Sequence, residues 1–493
     1  MEHRFKDKPM TSFFGRGGRW GRAVVCIVVS LGLLAMVQVS LVMDWIPFDD
    51  AAMPPTLRGA ESDPSYDVLG DILHLNNLNE ACIHEKDAVI SYAYNSSTLD
   101  PALVLHKDMD HTMLIQLLSH CPDVDVYLPS TLRDHGYCED GMAYAKFLKT
   151  RVLPRWVFDI ELKHKGRSMT YFDLCPQSAI LFMNHYWDEI PDMATFPKTK
   201  KIVLMPNVEK AELDAHHYLR VNYVLAKTYD GYQRITSWYA REGNPRHTKV
   251  LYTQHVSSDP TLFARRSGGG HHGPTRDFTN LRFFHANDHS TEKNTVNLLK
   301  CWARRPDFPP LDIYSMDDQS RETFNALFKT TGAPENLRYH WGDDMDYTTL
   351  GKLMADSPVV LCPSSMEGFG HDINQARAAG ALVATTDAPP MNELIDSASG
   401  VLIDNVLRPN PPTQLMGKGY KTFRDGESRE GMEYDVEPGH ICDAVDLILE
   451  MSPDARRTLA LAGQERYFAQ VQYFRTQMHA LRKQLLFDLH GEM

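Results

Sequence analysis

The chain has 493 residues, 43% hydrophobic and 23% charged, and 51 Lys and Arg against 64 Asp and Glu give a net charge of −13. That length exceeds one ordinary core and points to at least two domains. The acidic balance, with no cluster of Lys and Arg beyond the first residues, excludes a nucleic-acid surface as the main function.

Ala23 to Met43 is an apolar run without a formal charge, and Gln38 is its most polar member. It matches the ~20 residues that span a bilayer. Arg4, Lys6, Lys8, Arg16, Arg19 and Arg22 precede it, and Asp44, Asp49 and Asp50 follow. The positive-inside rule then predicts a cytosolic N-terminus and a body across the membrane. A cleaved signal peptide is the competing reading, but its apolar region is typically only about 7–15 residues. A retained signal anchor is therefore expected, with the body in the Golgi lumen and the endoplasmic reticulum as second choice. Pro47 to Asp67, rich in Pro, Asp, Ala and Ser, reads as a stem.

Short apolar runs alternating with helical patterns begin near Ala88. Ala88–Tyr92, Val124–Leu128, Ser178–Met183, Lys201–Met205 and Tyr223–Ala226 read as strands, and Met113–Leu118, Ala143–Leu148 and Tyr229–Ala240 as helices. Strands alternating with helices imply βαβ units and a doubly wound sheet. Ser267 to Pro274, with Gly268, Gly269, Gly270 and the pair His271-His272, interrupts this rhythm as a linker.

A second alternation follows. Its strands are Leu281–His285, Leu311–Ser315, Leu337–His340, Val359–Leu361 and Leu382–Thr385. Its helices are Thr291–Trp302, Arg321–Lys329, Thr348–Met354 and Ile373–Ala379, and Ser452–Leu489 closes the chain as helix. The expected divisions are a tail 1–22, anchor 23–43, stem 44–80, first domain 81–265, linker 266–277, second domain 278–450 and C-terminal helices 451–493. Of the eight cysteines, Cys26 lies in the apolar run, Cys121 and Cys138 are near enough in sequence to pair, and Cys362 reads as a small buried hydrophobe. Asn95-Ser96-Ser97 is a glycosylation sequon. It follows the first strand, on the side where such sheets bind ligands.

Pro363-Ser364-Ser365-Met366-Glu367-Gly368-Phe369-Gly370 lies between a buried strand and a helix start. A strand, a small-residue loop and a helix start gather free amides and the positive helix end into an anion site. Gly368 and Gly370 let the backbone approach a ligand. Glu367 offers a fixed acceptor for hydroxyl groups. The run continues through His371, Asp372, Asn374 and Gln375 to Ala376-Arg377-Ala378-Ala379-Gly380.

This pattern resembles the donor-site motif of retaining GT-B glycosyltransferases, the group with bacterial mannosyltransferases and sucrose and glycogen synthases. Their motif is a Glu, seven residues and a second Glu around E-x-F-G, followed by E-A-x-A-x-G. The resemblance covers roughly Phe278 to Ala444. It implies two Rossmann-like domains facing a cleft, here preceded by one transmembrane helix, and a nucleotide-diphosphate sugar as donor. It further implies that Glu367 contacts the donor sugar and that Gly368, Phe369, Gly370, His371 and Asn374 line the donor site. The second Glu, which usually holds the ribose, is Gln375. Lys293 in Glu292-Lys293-Asn294 matches the family's diphosphate-binding Lys, whereas the usual Arg six residues earlier is Asn287. His185 matches a His that the family places near the sugar.

The resemblance implies transfer of a sugar to an acceptor hydroxyl on a glycan, protein or lipid, with retention by front-face substitution. No cofactor or metal is expected, and Asp343-Asp344-Met345-Asp346 reads as a loop. Two alternatives stay open: an inactive relative that binds a nucleotide sugar or glycan, which Gln375 and Asn287 favour, and a nucleotide-sugar epimerase. No G-x-G-x-x-G opens either domain, which disfavours a dinucleotide enzyme.

Overall fold

The computed structural model describes residues 66–490 except 97–99, 101, 134, 210–211, 263–275, 331, 343–344 and 409–431. The expected tail, membrane anchor and most of the stem lie outside the described residues, as do the His271-His272 pair, Asp343-Asp344 and Ser97. Among the described residues, no helix is long and apolar enough to cross a membrane.

The first half contains helix α1 (Val68–His84), β1 (Val89–Ser91), β2 (Val104–Leu105), α2 (His111–Leu118), β3 (Val124–Tyr127), α3 (His135–Leu148) and β4 (Arg151–Leu153). It continues with β5 (Ala179–Met183), β6 (Ile202–Met205), β7 (Tyr223–Ala226), α4 (Tyr229–Glu242) and β8 (Lys249–Tyr252). The eight strands form one sheet in the order β8-β7-β6-β5-β3-β4-β1-β2. Strands β3 to β8 are parallel and their centre is buried on both faces, which is why Ala179-Ile180-Leu181-Phe182-Met183 is continuously apolar. Helix α4 follows from local signals. Thr228 caps it by accepting from the Gly231 amide, Ile235, Trp238 and Tyr239 face the sheet, and Gly243 ends it at φ +91°.

Two expectations change here. Helix α3 starts at His135, eight residues before the expected Ala143, because its polar first turns carry cleft residues rather than an apolar stripe. Strand β1 pairs antiparallel with β4, Ser91 opposite Arg151. The chain therefore leaves β1 at the end of the sheet away from the cleft, and exposed Asn95 lies there rather than on the ligand side. Helix α1 also reaches into the expected stem, since Ile72, Leu75 and Leu78 are buried in the core around α3.

The second half contains β9 (Phe283–Ala286), α5 (Thr295–Arg304), β10 (Leu311–Ser315), α6 (Asp318–Phe328), β11 (Leu337–Trp341), α7 (Tyr347–Asp356), β12 (Val359–Cys362), α8 (His371–Ala378), β13 (Leu382–Thr386), β14 (Val401–Ile403), α9 (Pro438–Glu450) and α10 (Pro453–His490). Its six strands are all parallel, in the order β11-β10-β9-β12-β13-β14. The first strand thus lies between β10 and β12, and the connections leave it in opposite directions. Such a switch point opens a crevice at the carboxyl ends of the strands.

Helix α10 ties the two halves together. Ala460 belongs to the second-domain core, while Tyr467, Val471, Phe474, Met478, Leu481 and Leu485 belong to the first. Burying those six side chains contributes on the order of 10 kcal/mol as an upper bound. Three disulfides add staples: Cys82–Cys138, Cys121–Cys175 and Cys301–Cys442. Cys121 and Cys138 do not pair. Cys138 points into the core on one face of the first sheet with Cys82, whereas Cys175, the partner of Cys121, lies in the core on the other. Cys362 is free and buried.

Candidate donor site in the cleft

A cavity of about 340 Å³ lies between the carboxyl ends of the two sheets, within the size range of small-molecule sites. The second domain supplies the end of β9 and the segment after it (Ala286, Asn287, Asp288 and Lys293), the end of β10 (Tyr314, Ser315), and the loop after β12 with the first turn of α8 (Glu367 to Asp372). The first supplies Glu139 and Asp140 from α3, Glu209 from the loop after β6 and Lys227 after β7.

Strand β12 is buried at every residue and delivers the chain to Ser364, whose carbonyl accepts from the Thr386 hydroxyl at 2.6 Å. Gly370 caps α8 at φ +96°, a conformation open to glycine, and no side chain caps that helix start. A Cβ at Gly368 would fall 2.4 Å from Glu209 Oε1, so the absent side chain is what lets the two walls approach.

Lys293 and Glu367, paired by sequence only through the resemblance, meet directly. Lys293 Nζ donates to Glu367 Oε1 at 2.5 Å and to Asp372 Oδ1 at 2.7 Å. Its side chain is only 17% exposed. Burial depresses the Lys293 ammonium, but the Asp372 and Glu367 carboxylates more than reverse this and its pKa is raised. Burial pushes Glu367 up, with Lys293 offsetting only part of the shift, whereas at Asp372 the same ammonium outweighs burial and the pKa is lowered. The trio carries one positive and two negative charges when fully ionised, so a phosphate must compete for Lys293.

Asn287 stands on the cavity wall at 1% exposure, with neither side-chain amide atom hydrogen-bonded within the described residues. A buried unpaired amide costs about 1–3 kcal/mol, and a polar ligand in the cavity would remove that cost. The position where the resemblance leads one to expect Arg therefore carries an uncharged group facing the same space.

The other expected residues divide. Phe369, 3% exposed, and His371 line the cavity. Gln375 also lines it, but its Nε2 donates to Glu139 Oε1 at 2.8 Å, so it clasps the first domain. Asn374 is fully buried, donates to Ser257 Oγ at 3.2 Å and accepts from Arg377 Nε at 2.7 Å, outside the cavity lining. His185 is also outside the lining. It follows β5 with Nδ1 3.2 Å from Glu212 Oε2 and its side chain 35% exposed. Asp346 caps α7 by accepting from the Thr349 amide at 2.9 Å, in keeping with a loop reading.

Sequence reasoning missed Glu139, Asp140, Glu209 and Lys227. Lys227 directly follows β7 and Glu209 lies four residues past β6, so position at a strand's carboxyl end was the available signal. Glu139 and Asp140 were hidden because the start of α3 was missed. Burial raises the Glu139 carboxyl. Burial also opposes ionisation of Asp140, but Lys227 at 3.1 Å together with His255 and His371 outweighs it and lowers the pKa.

Residues 279–415 match the family model described as Glycosyl transferases group 1. No curated protein matches the chain. Solved structures similar to it include sucrose-phosphate synthase from Thermosynechococcus elongatus, at 13% identity over 74% of this chain and 99% of that one, with a TM-score of 0.49. Alpha,alpha-trehalose 6-phosphate synthase from Burkholderia multivorans is 11% identical over 62% of this chain and 70% of that one, with a TM-score of 0.44. The GtfA/B complex is 13% identical over 66% of this chain, with a TM-score of 0.42, and the match spans 64% of that chain, under two thirds of its length. The segment from β9 past β14, which holds Lys293, Asn287 and the Glu367 loop, thus resembles glycosyl transferases group 1.

Proposed function

We propose that the chain is a type II membrane glycosyltransferase that moves a sugar from a nucleotide-diphosphate sugar to an acceptor hydroxyl, with retention of configuration. The observation that carries this reading is the meeting of Lys293 with Glu367 at a switch-point cavity, within the segment that matches glycosyl transferases group 1. In this reading Lys293 turns from the two carboxylates to the leaving diphosphate, joined by the amides that open α8. A cation held there stabilises charge that grows as the sugar–phosphate bond breaks. Glu367, released, accepts from donor-sugar hydroxyls, and Asn287 finds its partner on the donor. The leaving phosphate takes the acceptor proton as the new bond forms on the same face.

The apolar segment 23–43 anchors the body, which faces the Golgi lumen with an acceptor on a glycan, protein or lipid. Three disulfides support an oxidising compartment, and exposed Asn95 supports use of its sequon. Incubating the purified chain with labelled nucleotide sugars and mixed glycan acceptors tests the reading. Transfer by the wild type that is lost in Lys293→Ala supports it, and equal transfer by both contradicts it.

A second reading, an inactive relative that binds a nucleotide sugar or glycan, is favoured by the engagement of Gln375 with Glu139 and by the two carboxylates on Lys293. Binding of a nucleotide sugar without transfer or hydrolysis would favour it.

A further inference from the structure

We propose that Asp140, His255 and His371 form a divalent transition-metal site on the first-domain side of the cleft, with Zn²⁺ the ion its two imidazoles and one carboxylate suit best. Their donor atoms all lie within 4.8 Å of one another. Asp140 Oδ1 is 2.9 Å from His255 Nε2 and 3.1 Å from His371 Nε2. Bonds of ~2.0–2.2 Å in a tetrahedron require only small outward shifts from these spacings.

One observation points to a ligand, and a second is compatible with it. His255 is fully buried, yet neither ring nitrogen makes a hydrogen bond within the described residues. Its Nε2 lies 2.9 Å from Asp140 Oδ1, within ion-pair distance, and its Nδ1 has no partner among the described residues. Packing fixes its ring, stacked on Tyr144 at 5.0 Å and met edge-on by Phe369 at 5.2 Å. A buried imidazole held in place with unspent nitrogens is prepared for a bond the protein alone does not make.

The second observation concerns His371, whose Nδ1 lies 2.8 Å from Ser257 Oγ. A ligating His ordinarily donates its other ring N–H to such a partner. With the proton on Nδ1, the Nε2 lone pair is open to an ion; with it on Nε2, His371 donates to Asp140 Oδ1 at 3.1 Å instead. Lys227 donates to Asp140 Oδ2 at 3.1 Å and to Oδ1 at 3.3 Å, so an ion on Oδ1 would leave it Oδ2, the oxygen it already approaches more closely. His371 opens α8 while Asp140 and His255 come from the first half of the chain, so one ion would join both walls. Three ligands leave a fourth position for water or a substrate oxygen. This goes beyond the donor-site reading and departs from the sequence expectation of no metal.

The test uses the full chain in detergent, stripped with a chelator and titrated with Co²⁺ as a spectroscopic stand-in and with Zn²⁺. The expected result is one equivalent bound, with tetrahedral d–d bands for Co²⁺, and loss of that binding in both His255→Ala and His371→Ala. Because His255 is buried in the core, Ser257→Ala provides a milder check: it should weaken binding by ~10–100-fold. His271→Ala/His272→Ala should bind like the wild type. Absence of bands and of retained Zn²⁺ in the wild type overturns the proposal. So does binding that survives His371→Ala, binding lost with His271 and His272, or a thiolate charge-transfer band assigning the ion to Cys362.

Discussion

The second-domain wall of the cleft is a loop whose residues are named by local sequence: Glu367, Gly368, Phe369 and Gly370 in one run, with Lys293 brought to Glu367 from the loop after the neighbouring strand. The first-domain wall has no such run. Glu139 and Asp140 come from a helix, Glu209 and Lys227 from two different strand ends and His255 from a third, and each is oriented by partners far away in sequence. The difference teaches that a short loop at a switch point can hold an anion with its own amides and one cation. The opposite wall is specified by tertiary packing: Lys227 pairs with Asp140 within the domain, while Gln375 meets Glu139 across the interface.

The largest effects should come from the loop wall. Lys293→Ala is expected to lower transfer by ~10²–10³-fold, the scale of removing one charge-stabilising group, and to lower the melting temperature with donor absent, because it leaves the buried Glu367 and Asp372 carboxylates without their cation. Steady-state kinetics beside a melting curve would check both. Glu367→Gln keeps the shape and removes the charge. Its loss should appear in transfer rather than in folding, and a variant as active as wild type would reassign the sugar contact.

The opposite wall should respond in stability. Gln375→Glu restores the carboxylate that the glycosyltransferase resemblance leads one to expect, but sets it against Glu139 across a 2.8 Å contact. A partly buried carboxylate set against buried Glu139 should cost about 1–3 kcal/mol, read by denaturant unfolding, and adding Glu139→Gln should recover it. No recovery would separate Gln375 from the interdomain clasp.

A second clasp predicts a pH dependence. Glu393, just before the end of a short turn of second-domain helix, accepts from the Tyr229 and Asp230 amides at 2.6 and 2.8 Å, at the start of α4 in the first domain. Burial raises its pKa to about 7 despite those bonds. An unfolded Glu titrates near ~4.3, so between these values the native state holds a proton that the unfolded state has lost. The contribution of this group is fully present below the unfolded pKa and is lost as pH rises toward 7. Glu393→Gln should flatten the slope of unfolding free energy over that window, and an unchanged slope would remove Glu393 from the account. The smallest effect is expected at Asn95. Asn95→Gln should shift the mass of the secreted-pathway form and leave transfer unchanged, because β1 ends away from the cleft.

Much of the scaffold was legible because parallel strands buried on both faces read as continuous apolar runs. Tyr223–Ala226 matches its strand residue for residue on that ground, and Leu311–Ser315, whose burial alternates, matches as well. Strand β8, Lys249–Tyr252, was not legible: it is an edge strand with an exposed Lys and partly exposed apolar residues, so it lacks that signature. With it went His255, three residues beyond. At the site, Glu367 and Lys293 were readable from their loop and helix-start contexts. The pairing of Gln375 with Glu139 was not, since it spans 236 residues and depends on how α3 faces α8. The same holds for the disulfides, whose partners depend on which face of the sheet each helix covers.

The central claim is that the cavity beside Lys293 and Glu367 holds a nucleotide-diphosphate sugar. It is tested most directly by melting the full-length chain with and without a panel of nucleoside diphosphates and their sugars, in wild type and Lys293→Ala, because only a ligand of the native state raises stability. The account predicts that at least one of them raises the wild-type melting temperature in a concentration-dependent way and that Lys293→Ala abolishes most of the shift. No shift with any of them, or an equal shift in both proteins, would contradict it.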